Sequence, residues 1–145
     1  MEEEKLKKEA EKRMKDKWIK SQMFIEVLAL QEDAAKEVLE AHVKKLENEG
    51  SVLITKKDWK PMRKIEKPFP NIDIGYGYFV ELEVLTENYD KLVYVAMNYG
   101  PSSIEIIEPK EIKLQSWEAD GIVNGVADMM HRFAASKGGF VLKKV

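Results

Sequence analysis

Two periods of apolar spacing run through this chain. Met23–Leu30 (MFIEVLAL) is β-branched and apolar with one charge, Glu26, and predicts a strand. Over residues 32–49 the spacing changes to that of a helix, with Ala35, Val38, Leu39, His42 and Leu46 on the buried face. Gly50 follows as the expected left-handed stop. Val52–Thr55 begins a second strand. In Tyr76–Leu85 (YGYFVELEVL) strict alternation sets Tyr78, Val80, Leu82 and Val84 on the buried side and Phe79, Glu81, Glu83 and Leu85 on the other. A helix over Tyr89–Asn98 follows, capped by Thr86 or Asn88. It shows Tyr89, Leu92, Val93, Ala96 and Met97 to the core and is stopped by Gly100-Pro101. Ser103–Glu108 (SIEIIE) reads as a fourth strand.

Two further helices flank this block. Residues 1–20 carry Leu6, Ala10, Met14 and Trp18 every fourth position among Glu and Lys, a thin amphipathic extension expected to lie on the domain surface. Ser116 is placed to cap a long last helix with Ala119, Ile122, Val123, Val126, Met130, Phe133 and Ala134 along its apolar face. Lys137 falls in its last turn, Gly138-Gly139 stop it, and Phe140–Val145 forms a short strand or tail. The order helix, β-α-β-β-α-β, helix predicts an α+β chain built as a ferredoxin-like βαββαβ sandwich with a helix added at each end. The extra last helix needs cover, from the open sheet face or from a partner chain. The expected organisation is a helical extension over 1–20 and one domain over 21–145.

Residues 56–71 break the pattern. Lys56, Lys57, Lys60, Arg63, Lys64 and Lys67 stand against Asp58 and Glu66, among Pro61, Pro68 and Pro70. Proline lacks the donor that a central strand uses, so the segment reads as a long basic loop. Residues 68–111 are acidic, with eight Asp and Glu against Lys91 and Lys110.

Composition narrows the function classes. At 145 residues the chain has the size of one domain, and a formal net charge of −2 excludes coating nucleic acid by charge alone. No cysteine is present, which excludes disulfides, thiolate metal sites and cysteine nucleophiles. The charged start predicts no signal peptide, no apolar run is long enough for a membrane helix, and a cytoplasmic location is expected. Abundant Lys and Glu, beside three Gln and five Asn, match thermophile usage.

Four constellations are candidates for function. Trp59 and Phe69 lie among Lys56, Lys57, Lys60, Arg63, Lys64 and Lys67, the mixture that single-stranded nucleic-acid binding uses. Glu81 and Glu83 on the adjacent strand oppose phosphate, so nucleic acid is not the favoured partner. Asp128, His131 and Arg132 are the polar groups that a ligand cleft at the last helix would offer. Gly121 and Gly125, at i,i+4 in that helix, point to a close backbone approach, and with Trp18 they are candidate oligomer contacts. Asp128 and His131 supply two ligands at most, and His42 lies on another helix, so no metal or other cofactor is expected. Gly75-Tyr76-Gly77 precedes a strand rather than a helix and reads as a bend or bulge at the strand start, not a phosphate loop.

Leu92–Pro109 (LVYVAMNYGPSSIEIIEP) resembles the helix, Gly turn and strand near the C-terminus of WYL-type bacterial regulators. The likeness covers about 18 residues; neither a helix-turn-helix nor a Trp-Tyr-Leu signature precedes it. As a whole the chain resembles small archaeal proteins of ferredoxin-like type. No functional residue carries over from either resemblance. The pattern favours a non-enzymatic interaction or regulatory module, self-associating as a dimer, with an acidic protein surface as the alternative partner. Single-stranded RNA binding through the basic segment and a small-molecule sensor or small enzyme at the last helix are the competing readings.

Overall fold

A computed structural model describes residues 2–136. Lys137, Gly138-Gly139 and the expected strand or tail over Phe140–Val145 lie outside the described residues. The elements run α1 (Glu2–Lys15), β1 (Ile19–Ala29), α2 (Glu32–Glu47), β2 (Val52–Trp59), β3 (Arg63–Phe69), β4 (Ile72–Thr86), α3 (Tyr89–Tyr99), β5 (Ser103–Glu108) and α4 (Ser116–Ser136). The chain divides into two compact units, residues 1–111 and 112–145. α1 therefore belongs with the sheet, and α4 is the described element of the second unit.

The architecture is α+β. Five antiparallel strands form one sheet in the order β2-β4-β1-β5, with β3 also paired to β4. α2 connects β1 to β2 across the position of β4, and α3 connects β4 to β5 across that of β1. Alternation in the strands selects the core. Ile19, Met23 and Ile25 of β1 and Val80, Leu82 and Val84 of β4 are buried and lie in register. Ala35, Leu39, Val43 and Leu46 of α2, with Leu92, Val95 and Tyr99 of α3, complete it. The expected helix faces are thus shifted: Val38 is exposed and Val43 buried, and Val95 and Tyr99 take core positions that Val93 and Met97 were expected to hold.

The ends follow local chemistry, with several corrections. Asn88 caps α3, its Oδ1 accepting from the Lys91 N–H at 2.8 Å, and Gly100 closes it at φ 54°. α2 stops at Glu47, and the left-handed residue is Ser51 at φ 63°, not Gly50. Ser51 tolerates this because its hydroxyl donates to Glu87 at 2.5 Å while its carbonyl accepts from the Glu87 N–H. At the start of α4 the Gln115 carbonyl accepts the Ala119 N–H and its own N–H meets Glu118 Oε1, so Gln115 caps the helix rather than Ser116. α1 ends at Lys15. Lys17 turns the chain at φ 65°, and Trp18 points into the core instead of continuing the helix.

The largest correction concerns the basic segment. β2 runs on to Trp59, β3 follows, and both lie along the same edge of β4, β2 against residues 80–86 and β3 against 72–77. Residues 52–69 are thus one interrupted strand of a long hairpin, not a loop. Pro61 sits in the interruption, Pro70 in the turn, and Pro68 at a register break where Lys67 adopts φ 48°. An edge strand with prolines and a bulge needs no donor on its outer side. The glycines opposite make room. A Cβ on Gly77 would stand 3.0 Å from the Ile65 side chain, and one on Gly75 would stand 3.0 Å from Pro68 and 3.1 Å from Leu28. The bulge expected at these glycines falls in their partner strand instead.

α1 buries no residue fully and packs against β2. A 600 Å³ cavity between α1 and the face opposite α2 is lined by Met14, Lys20, Thr55, Glu83 and Glu108. Leu85, expected on the outer side with Glu81 and Glu83, is fully buried in the same region.

Candidate functional site

The hairpin separates the six cations that the sequence groups. A register shift between Ile54 and Lys56 places Lys56 and Asp58 beside Glu83 and Glu81, and Lys57 and Trp59 beside Leu82 and Val80. Lys56 pairs with Glu83 at 3.9 Å, and Lys57 pairs with Glu47 of α2 at 2.5 Å. Lys60 pairs with Asp58 at 2.6 Å and Glu81 at 3.5 Å. The hydrogen bond to Asp58, then the charges of Asp58 and Glu81, raise the Lys60 pKa and fix it as a cation. Lys56, Asp58, Glu81 and Glu83 line a 310 Å³ depression with Gln22 and Ile107. Half of the positive charge is therefore answered within the chain.

The other half does not form a track. Arg63 faces Gly77 and Lys64 faces Tyr76 across the pairing, so the two point to opposite faces of the arm, and Lys67 sits in the register break. All three are exposed and carry no ion pair among the described residues. Trp59 stacks on Tyr78, with ring centroids 5.7 Å apart and planes at 20°, which occupies one of its faces. Phe69 is exposed and lines an apolar groove of 190 Å³ with Leu28, Leu30, Pro68 and Ile72. Lysines, a proline and a bulge on an outer strand are what keeps a sheet edge from pairing with another chain.

One polar cluster was not legible in the sequence. The Glu49 carboxylate accepts the Tyr99 hydroxyl at 2.6 Å, the Tyr94 hydroxyl at 3.2 Å and the Lys91 ammonium at 3.3 Å. His42 Nε2 meets the Tyr99 carbonyl at 2.8 Å, with its ring 5.1 Å from that of Tyr99. The Tyr99 hydrogen bond holds the Glu49 carboxyl below its ordinary range, helped by Lys91 and Tyr94 and opposed by burial. Burial, then the Glu49 hydrogen bond, pushes the Tyr99 phenol upward. The cluster ties the end of α2 to α3. Its members lie 42 to 57 residues apart, beyond any local pattern.

α4 holds the rest of the predicted groups. Asp128 and Arg132 pair with each other at 3.3 Å on the helix surface, and His131 is exposed one residue away. A Cβ on Gly121 or Gly125 would meet nothing within 4 Å. Trp18 is buried, with the Arg13 guanidinium 4.7 Å above its ring, and belongs to the core of the first unit. Among the described residues no group of three or more His, Asp or Glu is arranged to hold a metal ion, and no helix is long and apolar enough to cross a membrane.

The apolar side of α4 is its most distinctive property. The helix has 21 residues and buries none of them fully. Val123 is 67% exposed, Val126 43%, Met130 58% and Phe133 56%. These four positions advance by three, four and three and so lie along one side of the helix. The glycine and Asp128–Arg132 face lies on the other side of the helix from this line.

A family model, the MJ0538 family, matches residues 20–144, from the second residue of β1 through α4 and across both units. The chain belongs to the MJ0538 family. Comparison with curated proteins and with solved structures gives no match. The MJ0538 match shows no link to WYL-type regulators.

Proposed function

We propose that this MJ0538-family chain is an interaction module that self-associates through α4, carried on a ferredoxin-like framework. The strand order β2-β4-β1-β5, with each helical crossover spanning one intervening strand, supports the ferredoxin-like reading. The single observation behind self-association is the exposed line Val123, Val126 and Met130 on a helix that buries no residue. Soluble monomers rarely display contiguous apolar surface of this kind.

A second copy offers the matching surface. Each of these side chains is worth about 1.5–3 kcal/mol when fully buried. They are already partly covered, and association itself costs roughly 4–15 kcal/mol. Six such side chains, each roughly half exposed, then offer about 5–10 kcal/mol, so the expected dimer is weak and concentration-dependent. Val126→Glu with Met130→Glu places two charges on each side of the seam. The double variant should run as a monomer by size exclusion with light scattering, at unchanged far-UV circular dichroism. A variant that retains the mass of the wild-type assembly would remove α4 as the contact.

A further inference from the structure

We infer that the two α4 helices pair antiparallel; this rests on the self-association proposed above. The seam can be followed from Ser116 through Ala119, Val123, Val126 and Met130 to Phe133, in alternating steps of three and four. Its side chains are small in the first turns (Ser116, Ala119), intermediate in the middle (Val123, Val126) and large toward the end (Met130, Phe133). Val123, Val126 and Met130 are exposed and carry the argument; Phe133 continues the line.

A parallel pair would stack like on like. Ser116 would face Ser116 and Phe133 would face Phe133, loose at one end and crowded at the other. In an antiparallel pair the two lines of the seam meet crosswise. Ser116 then lies against Phe133, Ala119 against Met130, and Val123 against Val126, each layer occurring twice. Every layer combines a smaller with a larger or equal side chain, which a uniformly packed interface requires.

Charge agrees with size. Glu118 and Asp120 lie near the N-terminal end of α4, while Asp128 and Arg132 pair with each other toward its C-terminal end. A parallel pair gathers the four acids at one end; an antiparallel pair separates them and opposes the helix dipoles. Of the positions that flank the seam, Asp120, Ile122, Ala127, Met129 and Ala134, only Asp120 is charged, so no opposite-charge pair specifies a parallel partner.

The absence of native cysteine makes the test direct. Ala119→Cys and Met130→Cys are made as separate full-length chains of different tagged mass, mixed, and oxidised gently. Antiparallel pairing brings position 119 of one copy level with position 130 of the other, so the mixed disulfide is the main product and neither variant cross-links alone. In a parallel pair the two positions are about 16 Å apart along the axis, at 1.5 Å per residue. A disulfide needs Cα atoms within about 7 Å. Self-linked Ala119→Cys would therefore overturn the antiparallel assignment and leave self-association standing. A dimer by light scattering with no cross-link in the mixture would move the contact away from this seam. A monomer by light scattering would defeat the self-association reading itself.

Discussion

Removing the Glu49 carboxylate should loosen α2 from α3 by an amount that the geometry sets. The carboxylate is one-fifth exposed, and its shortest partner is the Tyr99 hydroxyl at 2.6 Å. A hydrogen bond to a charged group is worth about 1.5–3 kcal/mol where it is sheltered. The Lys91 and Tyr94 contacts, at 3.3 Å and 3.2 Å and more open to water, add roughly 0.2–1 kcal/mol together. Glu49→Ala should therefore cost about 2–3 kcal/mol in urea denaturation, or roughly 7–10 °C in Tm at this size. Glu49→Gln keeps an acceptor for Tyr99 and should cost about 1 kcal/mol.

The same contact gives a pH signature. The folded carboxyl titrates below its ordinary 4.5, so its contribution is complete above that value and is lost as pH falls through the folded pKa. The stability gap between wild type and Glu49→Gln should stay flat from pH 7 to about 5 and close at more acidic pH. The Tyr99 phenol is displaced upward from 10.0, so its contribution holds up to that value and declines as pH rises further. Glu49→Ala within about 0.5 kcal/mol of wild type, or a gap that persists unchanged to pH 3, would refute this reasoning.

Three other outcomes follow. His42→Ala leaves the Tyr99 carbonyl at the end of α3 without its 2.8 Å partner and should cost about 1–2 kcal/mol by the same denaturation assay. Gly100→Ala forces a side chain into φ 54° and should lower stability by about 1 kcal/mol, although no neighbour lies within 4 Å of the added Cβ. Titration with single-stranded RNA at low salt should give no saturable binding below about 100 µM, because the cations of the arm are paired or point to opposite faces. Tight binding that Arg63→Ala, Lys64→Ala and Lys67→Ala abolish would reverse that reading of the arm.

What the sequence revealed follows the range of the physics involved. β1, β4 and both crossover helices announce themselves by periodicity, because their burial repeats every two or three to four residues. The caps at Asn88 and Gly100 are equally local. β3 was hidden because its prolines and lysines are the signature of a loop in the interior of a sheet and of a protected strand at its edge. Ser51 in place of Gly50, and Val43 in place of Val38, turn on where α2 ends and which of its flanks meets the sheet. The paired state of Lys56, Lys57 and Lys60 depends on register with β4 and on the last turn of α2. The Glu49 cluster depends on α2 and α3 lying side by side. The α4 stripe was legible as an amphipathic face; that it remains exposed was not.

The solution mass of the full chain tests the central claim most directly. Light scattering over a dilution series from several hundred to about one micromolar should fall from well above 16.8 kDa toward 16.8 kDa, as a weak dimer dissociates. A mass that stays at 16.8 kDa through the most concentrated sample would contradict self-association through α4.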